Sequence, residues 1–467
     1  MSTPATTAST RPANGSEVEL TVDTLAHGGN GVARLDGYVI FVSGALPGDR
    51  VRAVVTKSKR QYGEARTLEV LEPSPDRIDP VADHPGAAWQ VLRYERQLEI
   101  KQQQVSDALT RIGRLEGFEL EPIVPAVAQW RYRNKFEYSF GTGEAGELMC
   151  GFHAPGSFDR IIAVRDSKLA SERSNAVREQ VLEWCRGQGL SAWDRRSQLG
   201  LLRNLVIREG RRTGQLQVRL VTSGGEIDTD SLAAAIDCDG LFWTQIAQVG
   251  ETTQGGVTER IKGVPKLEEG LGDLRLRISP EAFFQTNTEM AERLYGVAVD
   301  YAQLRGHERV FDLYCGIGTI GLTMAARARE VIGVEIVEPA VANAIENARL
   351  NEIANARFYA GDIRVAMRDL VEEVGRPDVC VIDPPRSGLS QKVVRRIVEA
   401  APDRIVYVSC NPTTLAPNAA QLVEAGYRMV RARPVDMFPQ TPHIECVALL
   451  EKGPDGVRNP ERPDGRR

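Results

Sequence analysis

Arg309-Val310-Phe311-Asp312-Leu313-Tyr314-Cys315-Gly316-Ile317-Gly318-Thr319-Ile320-Gly321 decides the fold of this chain. A short apolar strand, Arg309 to Tyr314, runs into a G-x-G-x-x-G turn and then a helix to about Arg329. Val331 to Val334 is the next strand, and it ends in Glu335. This is the βαβ unit that takes an adenosine nucleoside. Its glycines let the backbone approach the ligand, and the acid ending the second strand faces the ribose hydroxyls. Alone, the motif fits a dinucleotide or S-adenosylmethionine. Glycines that only make a tight turn leave the same letters.

The pattern continues toward the carboxyl end. Arg357 to Tyr359 leads to Gly361-Asp362, and Val379 to Ile382 leads to Asp383-Pro384-Pro385-Arg386. Ile405-Val406-Tyr407-Val408 leads to Ser409-Cys410-Asn411-Pro412, where Asn-Pro breaks the strand. Strands alternating with helices imply a doubly wound sheet whose polar strand ends share one edge. Cys410 then sits where open α/β sheets bind ligands, as a covalent nucleophile or as a buried strand-end thiol. His443-Ile444-Glu445 opens a last strand to Leu450. A lone His near a strand is more often structural, and a lone Glu is by default a surface carboxylate until paired with Cys410. Asp-Pro-Pro resembles the motif of amino-group methyltransferases, in which an aromatic residue follows. Arg386 follows here, which disfavours chemistry on an exocyclic amine.

The chain has 467 residues, enough for about three domains. No apolar run is long enough to span a membrane, and the Ser/Thr/Ala/Pro-rich start lacks the apolar core of a secretory signal. The seven cysteines are scattered, with no CxxC, and the five histidines show no paired spacing. This argues against a disulfide framework or a metal and points to a reducing cytoplasm. A net charge of −5 gives no global attraction to nucleic acid, so any binding must use local patches.

Residues 1–16 are expected to be a disordered arm and 453–467 a disordered tail. Residues 17–73 form short strands with Gly turns, a small barrel. Arg50, Arg52, Lys57, Lys59, Arg60 and Arg66 cluster there around Tyr62 against one acid, Glu64. That composition suits a nucleic-acid strand better than the alternative, a solvated pair of charged strands. After the linker Glu72 to Asp76, Tyr94 to Ile112 is a helix with Leu98, Val105, Leu109 and Ile112 on one apolar face. From Trp130 to about Leu274 the pattern is strands and turns, with a basic-aromatic cluster at Arg131 to Phe136 and paired strands at Leu201 to Arg208 and Gln215 to Thr222. This middle block shows no catalytic signature.

Together the motifs resemble the S-adenosylmethionine-dependent uracil-5 RNA methyltransferases. The matching residues are Phe283 to Asn287, Asp312 to Gly318, Gly333-Val334-Glu335, Asp383 to Arg386, Val408 to Pro412 and His443 to Glu445. The amino-terminal unit resembles the TRAM module, an OB-like RNA-binding barrel. Trp89-Gln90, Tyr94 and Gln97 resemble the start of the family's central region. The resemblance implies an α/β protein: a Rossmann-like methyltransferase domain at 275–452, the barrel at 17–73, and a mostly β RNA-binding region at 74–274 whose helix 94–112 packs on the catalytic half. It implies Cys410 as nucleophile and Glu445 as base. Gln285, Tyr314, Glu335 and Asp383 then contact S-adenosylmethionine, with Gly316 and Gly318 in the cradle and Asp362 on the adenine side. Arg386 is expected to meet the RNA or the Cys410 loop.

Relatives of this length often hold an iron–sulfur cluster on four cysteines. Here residues 81–88 contain no Cys and the fourth position is Ser167, so no cluster is expected. The implied substrate is ribosomal RNA of the large subunit first and transfer RNA second, with the enzyme a cytoplasmic monomer. Three rivals stand beside this reading. A cytosine-5 RNA methyltransferase would need a second cysteine at a suitable motif. A non-catalytic RNA-binding assembly factor would have no use for Cys410 with Glu445. An NAD-dependent oxidoreductase would leave Asp-Pro-Pro-Arg without a role.

Overall fold

The computed structural model describes residues 11–457 apart from 82–85, 155, 158 and 251. Much of the expected amino-terminal arm and carboxy-terminal tail therefore lies outside the described residues, as does half of the 81–88 stretch. The barrel is made by β1 (Glu17–Leu25), β2 (Gly31–Leu35), β3 (Tyr38–Ser43), β4 (Arg50–Ser58) and β5 (Tyr62–Glu72), closed in the order β1-β2-β3-β5-β4. Alternation drives the closure: Leu20, Val22, Ile40, Val42, Val51 and Ala53 point inward and are fully buried or nearly so. Gly15 and Ser16 already hydrogen-bond to Val55, ahead of β1.

The barrel's outer face differs from the expected basic cluster. Arg50 pairs with Glu19 and Glu72, Arg52 with Glu69 and Glu17, and Lys57 with Glu64. The acids come from β1 and from the far end of β5, beyond the window that showed only Glu64. Lys59, Arg60 and Arg66 are the members left exposed without an ion pair among the described residues.

Next come α1 (Tyr94–Asp107), a π turn (Ala108–Ile112) and β6 (Glu119–Leu120). The π turn adds a residue to one turn and rotates the side chains beyond it about the helix axis. Ile112 is consequently 52% exposed, off the expected apolar face, while Ala108 and Leu109 are buried. The buried face of α1 also carries Gln97 and Lys101, which apolar periodicity does not mark.

The central region is a seven-stranded sheet. Its strands are β7 (Lys135–Thr142), β8 (Leu148–His153), β9 (Ile161–Ala163), β10 (Leu202–Glu209), β11 (Leu216–Thr222), β12 (Gly240–Gln245) and β13 (Val257–Gly263), ordered β13-β12-β11-β10-β7-β8-β9. Two helices interrupt the expected run of strands and turns: α2 (Glu172–Gly187) and α3 (Thr229–Ala235). α2 has a Ser171 cap on the Ser174 N–H and a buried stripe of Val177, Val181, Leu182 and Cys185. A hairpin, β14 (Leu267–Leu271) with β15 (Leu274–Ile278), follows.

The carboxy-terminal unit is α4 (Thr288–Ala302), β16 (Arg309–Leu313), α5 (Thr319–Ala325), β17 (Glu330–Glu335), α6 (Glu338–Leu350), β18 (Ala356–Ala360), α7 (Ile363–Val374), β19 (Val379–Ile382), α8 (Gln391–Ala400), β20 (Arg404–Ser409), α9 (Pro412–Glu424), β21 (Tyr427–Val435) and β22 (Glu445–Lys452). The sheet order is β18-β17-β16-β19-β20-β22-β21-β6, parallel from β18 to β20. Both faces are covered. Val379, Val381, Val406 and Val408 pack toward α4 and α5, while Cys380, Ile382, Ile405 and Tyr407 pack toward α7, α8 and α9. Each such buried aliphatic is worth roughly 1.5–3 kcal/mol. Val105, Ala108 and Leu109 join the second of these cores, so α1 packs with the carboxy-terminal sheet. Among the described residues no helix is long and apolar enough to cross a membrane.

Candidate active site

Strand order sets out the site. β16 has β17 on one side and β19 on the other, and the chain's direction of winding reverses there. At such a switch point the carboxyl ends of the strands leave a crevice. Read across the sheet, the residues at or just past the strand ends are Asp362 (β18), Glu335 (β17), Tyr314 (β16), Asp383 (β19) and Cys410 (β20), with Glu445 opening β22. Six of the sequence-expected site residues therefore share one edge.

The glycine turn forms the cradle. Gly316 has φ +55°, and a Cβ there would meet nothing within 4 Å, so the ligand side is open. Gly318 has φ +85°, and a Cβ would come within 3.0 Å of the Phe358 ring and 3.1 Å of Ala344. Tyr314 itself has φ +65°, a left-handed geometry uncommon for a residue with a side chain. Glu335 braces the turn: its carboxylate accepts from the Gly316 N–H at 3.2 Å and the Val337 N–H at 2.9 Å, leaving lone pairs for ribose hydroxyls. Ile336 and Val337 are 64% and 52% exposed beside it, an apolar platform suited to a purine. These features fit an adenosyl group, and the pair Ile336-Val337 was not marked by the sequence. Asp362 caps α7 through the Arg364 N–H at 2.9 Å. Its ion pair with the Arg364 side chain, then that cap, hold its carboxyl below the usual range.

The central region reaches in to hold Gln285. Asn134, in the middle of the basic-aromatic cluster, donates to the Gln285 carbonyl at 2.9 Å and to Thr288 Oγ1 at 2.8 Å, and its N–H bonds the Thr286 carbonyl. The rest of the cluster is inward-facing or paired: Tyr132 is buried with its hydroxyl on the Pro439 carbonyl, and Arg131 pairs with Asp166. Its basic letters thus serve packing more than a free surface. Ser167 is buried, and its N–H bonds Asn175 Oδ1 at 3.0 Å. Among the described residues no group of three or more His, Cys, Asp or Glu is placed to hold a metal.

The last part of the edge joins β20 to β22. These strands are antiparallel, with Ser409 opposite Cys446. One residue further in the same register brings Cys410 opposite Glu445. The turn after Cys410 is stiff. Asn411 caps α9 through the Thr413 N–H at 3.0 Å and reaches the Arg386 carbonyl at 3.3 Å, which Thr414 also contacts. The Arg386 backbone therefore holds the Cys410 loop while its side chain is exposed. His443 lies with its ring edge-on to Phe438 at 6.1 Å.

Burial, then the Glu445 and Asp383 carboxyls, push the Cys410 thiol up to about 11, against the opposing Arg386 charge. Burial, then Asp383, push Glu445 well above the carboxylate range, again opposed by Arg386. Burial raises Asp383 to about 7, although it keeps some contact with solvent. Asp312 was matched from the sequence as the start of the Asp312 to Gly318 motif but given no role. It is fully buried beneath the glycine turn, accepts from the Gly321 N–H at 2.8 Å, and leaves Oδ1 without a partner. Burial raises it to about 7 against that hydrogen bond, with Asp383 and Glu335 adding to the rise. A site with this many reluctant anions is built to receive positive charge.

A nucleoside cradle at the switch point, with a thiol and a buried carboxyl farther along the same edge, defines a Rossmann-like methyltransferase fold. A profile of the tRNA (Uracil-5-)-methyltransferase family matches residues 267–453, and one of the TRAM domain matches residues 12–68. An uncharacterized RNA methyltransferase of Halalkalibacterium halodurans is 40% identical over 444 residues, covering 93% of this chain and 96% of its own length. Another, from Porphyromonas gingivalis, is 38% identical over 470 residues, covering 94% and 100%. The solved tRNA (uracil-54, C5)-methyltransferase of Pyrococcus abyssi, in complex with S-adenosyl-L-homocysteine, matches with a TM-score of 0.77 at 29% identity, covering 92% of this chain and 99% of its own. The chain belongs to the S-adenosylmethionine-dependent RNA (uracil-5-)-methyltransferases and carries a TRAM domain.

Proposed function

We propose that this enzyme methylates C5 of a uridine in large-subunit ribosomal RNA through a transient bond between Cys410 and C6. The register that brings Cys410 opposite Glu445 at the ligand edge carries the reading. Uracil C5 is a poor nucleophile until a thiolate adds at C6 and places electron density on C5. Cys410 supplies that thiolate to a base turned out of its stack. Gln285, Tyr314, Glu335 and Asp383 hold S-adenosylmethionine, with Asp362 on its adenine side, and when bound it supplies the electrophilic methyl that C5 takes. Glu445 then removes the C5 proton, the C5–C6 double bond re-forms, and the C6–S bond breaks to return the Cys410 thiolate. Arg386 offsets the negative charge that both groups must carry. The protein acts in the cytoplasm as a monomer, with residues 17–73 and 74–274 gripping RNA and residues 275–452 carrying the chemistry.

Transfer RNA is the second reading, favoured by the Pyrococcus abyssi relative. The test is methyl transfer from labelled S-adenosylmethionine to unmodified ribosomal and transfer RNA presented separately, followed by nucleoside mass spectrometry. 5-Methyluridine in the ribosomal pool alone is the expected result, and in the transfer pool alone the second reading stands. No methylation in either, with cofactor still bound, would make the protein a non-catalytic assembly factor. Cys410→Ala is expected to abolish transfer and leave cofactor binding largely intact, and Glu445→Gln to accumulate a protein–RNA adduct on denaturing gels. Protein purified anaerobically is expected to contain no stoichiometric iron and sulfide.

A further inference from the structure

Glu445 is buried, yet among the described residues no side chain hydrogen-bonds its carboxylate. It stands at the very start of β22, paired with Val435 of β21, so the approach of its carboxylate depends on the strand register and on the loop that leads into it, residues 436–444 between β21 and β22. That loop is held from an unexpected direction. Lys101 on α1 donates to Asp436 Oδ1 at 2.6 Å, with both side chains 0% exposed, and the Tyr94 hydroxyl donates to Asp436 Oδ2 at 2.7 Å. A buried ion pair is a poor source of net stability, because desolvation cancels most of the attraction. Retaining one calls for another reason.

Gln440 supplies that reason. It is a non-glycine residue at φ +65°, a left-handed geometry disfavoured because Cβ crowds the following carbonyl. Its N–H donates to Gln97 Oε1 at 3.0 Å, and its carbonyl accepts from the Trp89 N–H at 2.9 Å. Its Oε1 accepts from Gln97 Nε2 at 2.8 Å, and its Nε2 donates to Gln129 at 3.2 Å. Every polar group of a strained residue is thus occupied, two of them by one glutamine of α1. Strain held this firmly a few residues from a reactive group is a sign of function. The same helix touches the barrel, where Gln104 Nε2 donates to the Leu25 and Ala26 carbonyls at 3.0 and 3.1 Å.

We propose that Gln97 and Lys101 are positioning residues for Glu445: through Gln440 and Asp436 they fix the loop so that the carboxylate meets the C5 proton of the adduct. This rests on the reading of Glu445 as the base. In that step the C5–H bond breaks, the proton goes to Glu445, its electron pair makes C5=C6, and the C6–S pair leaves with Cys410. A loosened loop slows this step and spares the earlier two.

The test uses full-length Gln440→Gly, which keeps the left-handed backbone without strain and removes the amide links, and Lys101→Met with Asp436→Leu, which replaces the charges together. Glu445→Gln is the control. Three readouts separate the steps: cofactor affinity by calorimetry, adduct formation on a transcript containing 5-fluorouridine, and adduct level during turnover on the ordinary transcript. Fluorine at C5 cannot leave as a cation, so that adduct persists whatever the base does. Both variants should keep the first two readouts within about twofold, while release on the ordinary transcript slows by about 10–100-fold, as small misplacements of catalytic groups do, and adduct accumulates. Normal release in Gln440→Gly, with adduct accumulating in Glu445→Gln, overturns the proposal alone. Parallel loss of all three readouts in Gln440→Gly makes the clamp structural and also overturns it. No adduct in Glu445→Gln removes the base assignment and the proposal with it.

Discussion

Cys410, the proposed nucleophile, sits in an unhelpful setting. With its thiol pushed up to about 11, on the order of one molecule in ten thousand carries the thiolate at pH 7 in the free protein. Burial comes first among the causes and the neighbouring carboxyls second. Adduct formation on a 5-fluorouridine transcript should therefore rise about tenfold per pH unit from 7 to 9, as the thiolate fraction does. Arg386→Ala removes the opposing charge and should shift that profile to higher pH; an unmoved profile would mean Arg386 does not act on the thiol. Asp383 is displaced in the same direction, to about 7. A carboxyl raised on folding favours the folded state below its ordinary range, and that contribution is lost as pH rises through 7. The cofactor-free protein should melt at lower temperature at pH 8 than at pH 6. The sulfonium prefers the ionised carboxylate, so S-adenosylmethionine affinity should rise about tenfold from pH 6 to 8. S-adenosyl-L-homocysteine, whose sulfur is a neutral thioether, should show a smaller change, and Asp383→Asn should flatten both in calorimetry.

At the level of elements, what was legible and what was not divides along a physical line. Strand ends were legible because a β-branched run stopped by Gly, Asp-Pro or Asn-Pro states both the strand and its end, as Val379–Ile382 and Arg404–Ser409 do. Glu335 and Cys410 could be set on one edge from this alone. Pairing Cys410 with Glu445 needed the antiparallel register of β20 and β22, which a local reading of apolar residues cannot supply, and the family likeness filled the gap. α1 was found, but its phase was lost at the π turn, and its useful face is polar. Gln97 and Lys101 are written in letters that ordinarily mean solvent, and their partners lie more than 300 positions away. Asn134 was hidden among basic neighbours for the same reason. The glycine turn offers the sharpest element-scale prediction. Gly318→Ala must hold an L residue at φ +85° at a cost of ~1–2 kcal/mol, with its Cβ against Phe358. Calorimetry should show cofactor affinity reduced by about tenfold or more. An unchanged affinity would place the ligand elsewhere.

Across the whole molecule, charge limits how RNA is gripped. The chain carries a net −5, and half of the barrel's apparent basic cluster is neutralised by acids on adjacent strands. Such exposed pairs add little stability, but they cancel the field that would draw a phosphate backbone. Lys59, Arg60 and Arg66 remain, on the β4–β5 turn and the strand beyond it. The barrel is fixed to the rest through Leu25 and Leu46 packed on Trp89, Leu92 and Ile100, so these three cations stand at a set distance from the catalytic edge. Each phosphate contact releases counterions and steepens the salt dependence of binding by about 0.7 for a single strand. Replacing all three by Gln should weaken RNA binding at low salt and reduce the slope of log affinity against log salt by about 2. Cofactor affinity and adduct formation at saturating RNA should not change, because none of the three touches the edge where Cys410 and Glu445 meet. A slope that stays the same would move the RNA track off the barrel's β4–β5 face and onto the central sheet.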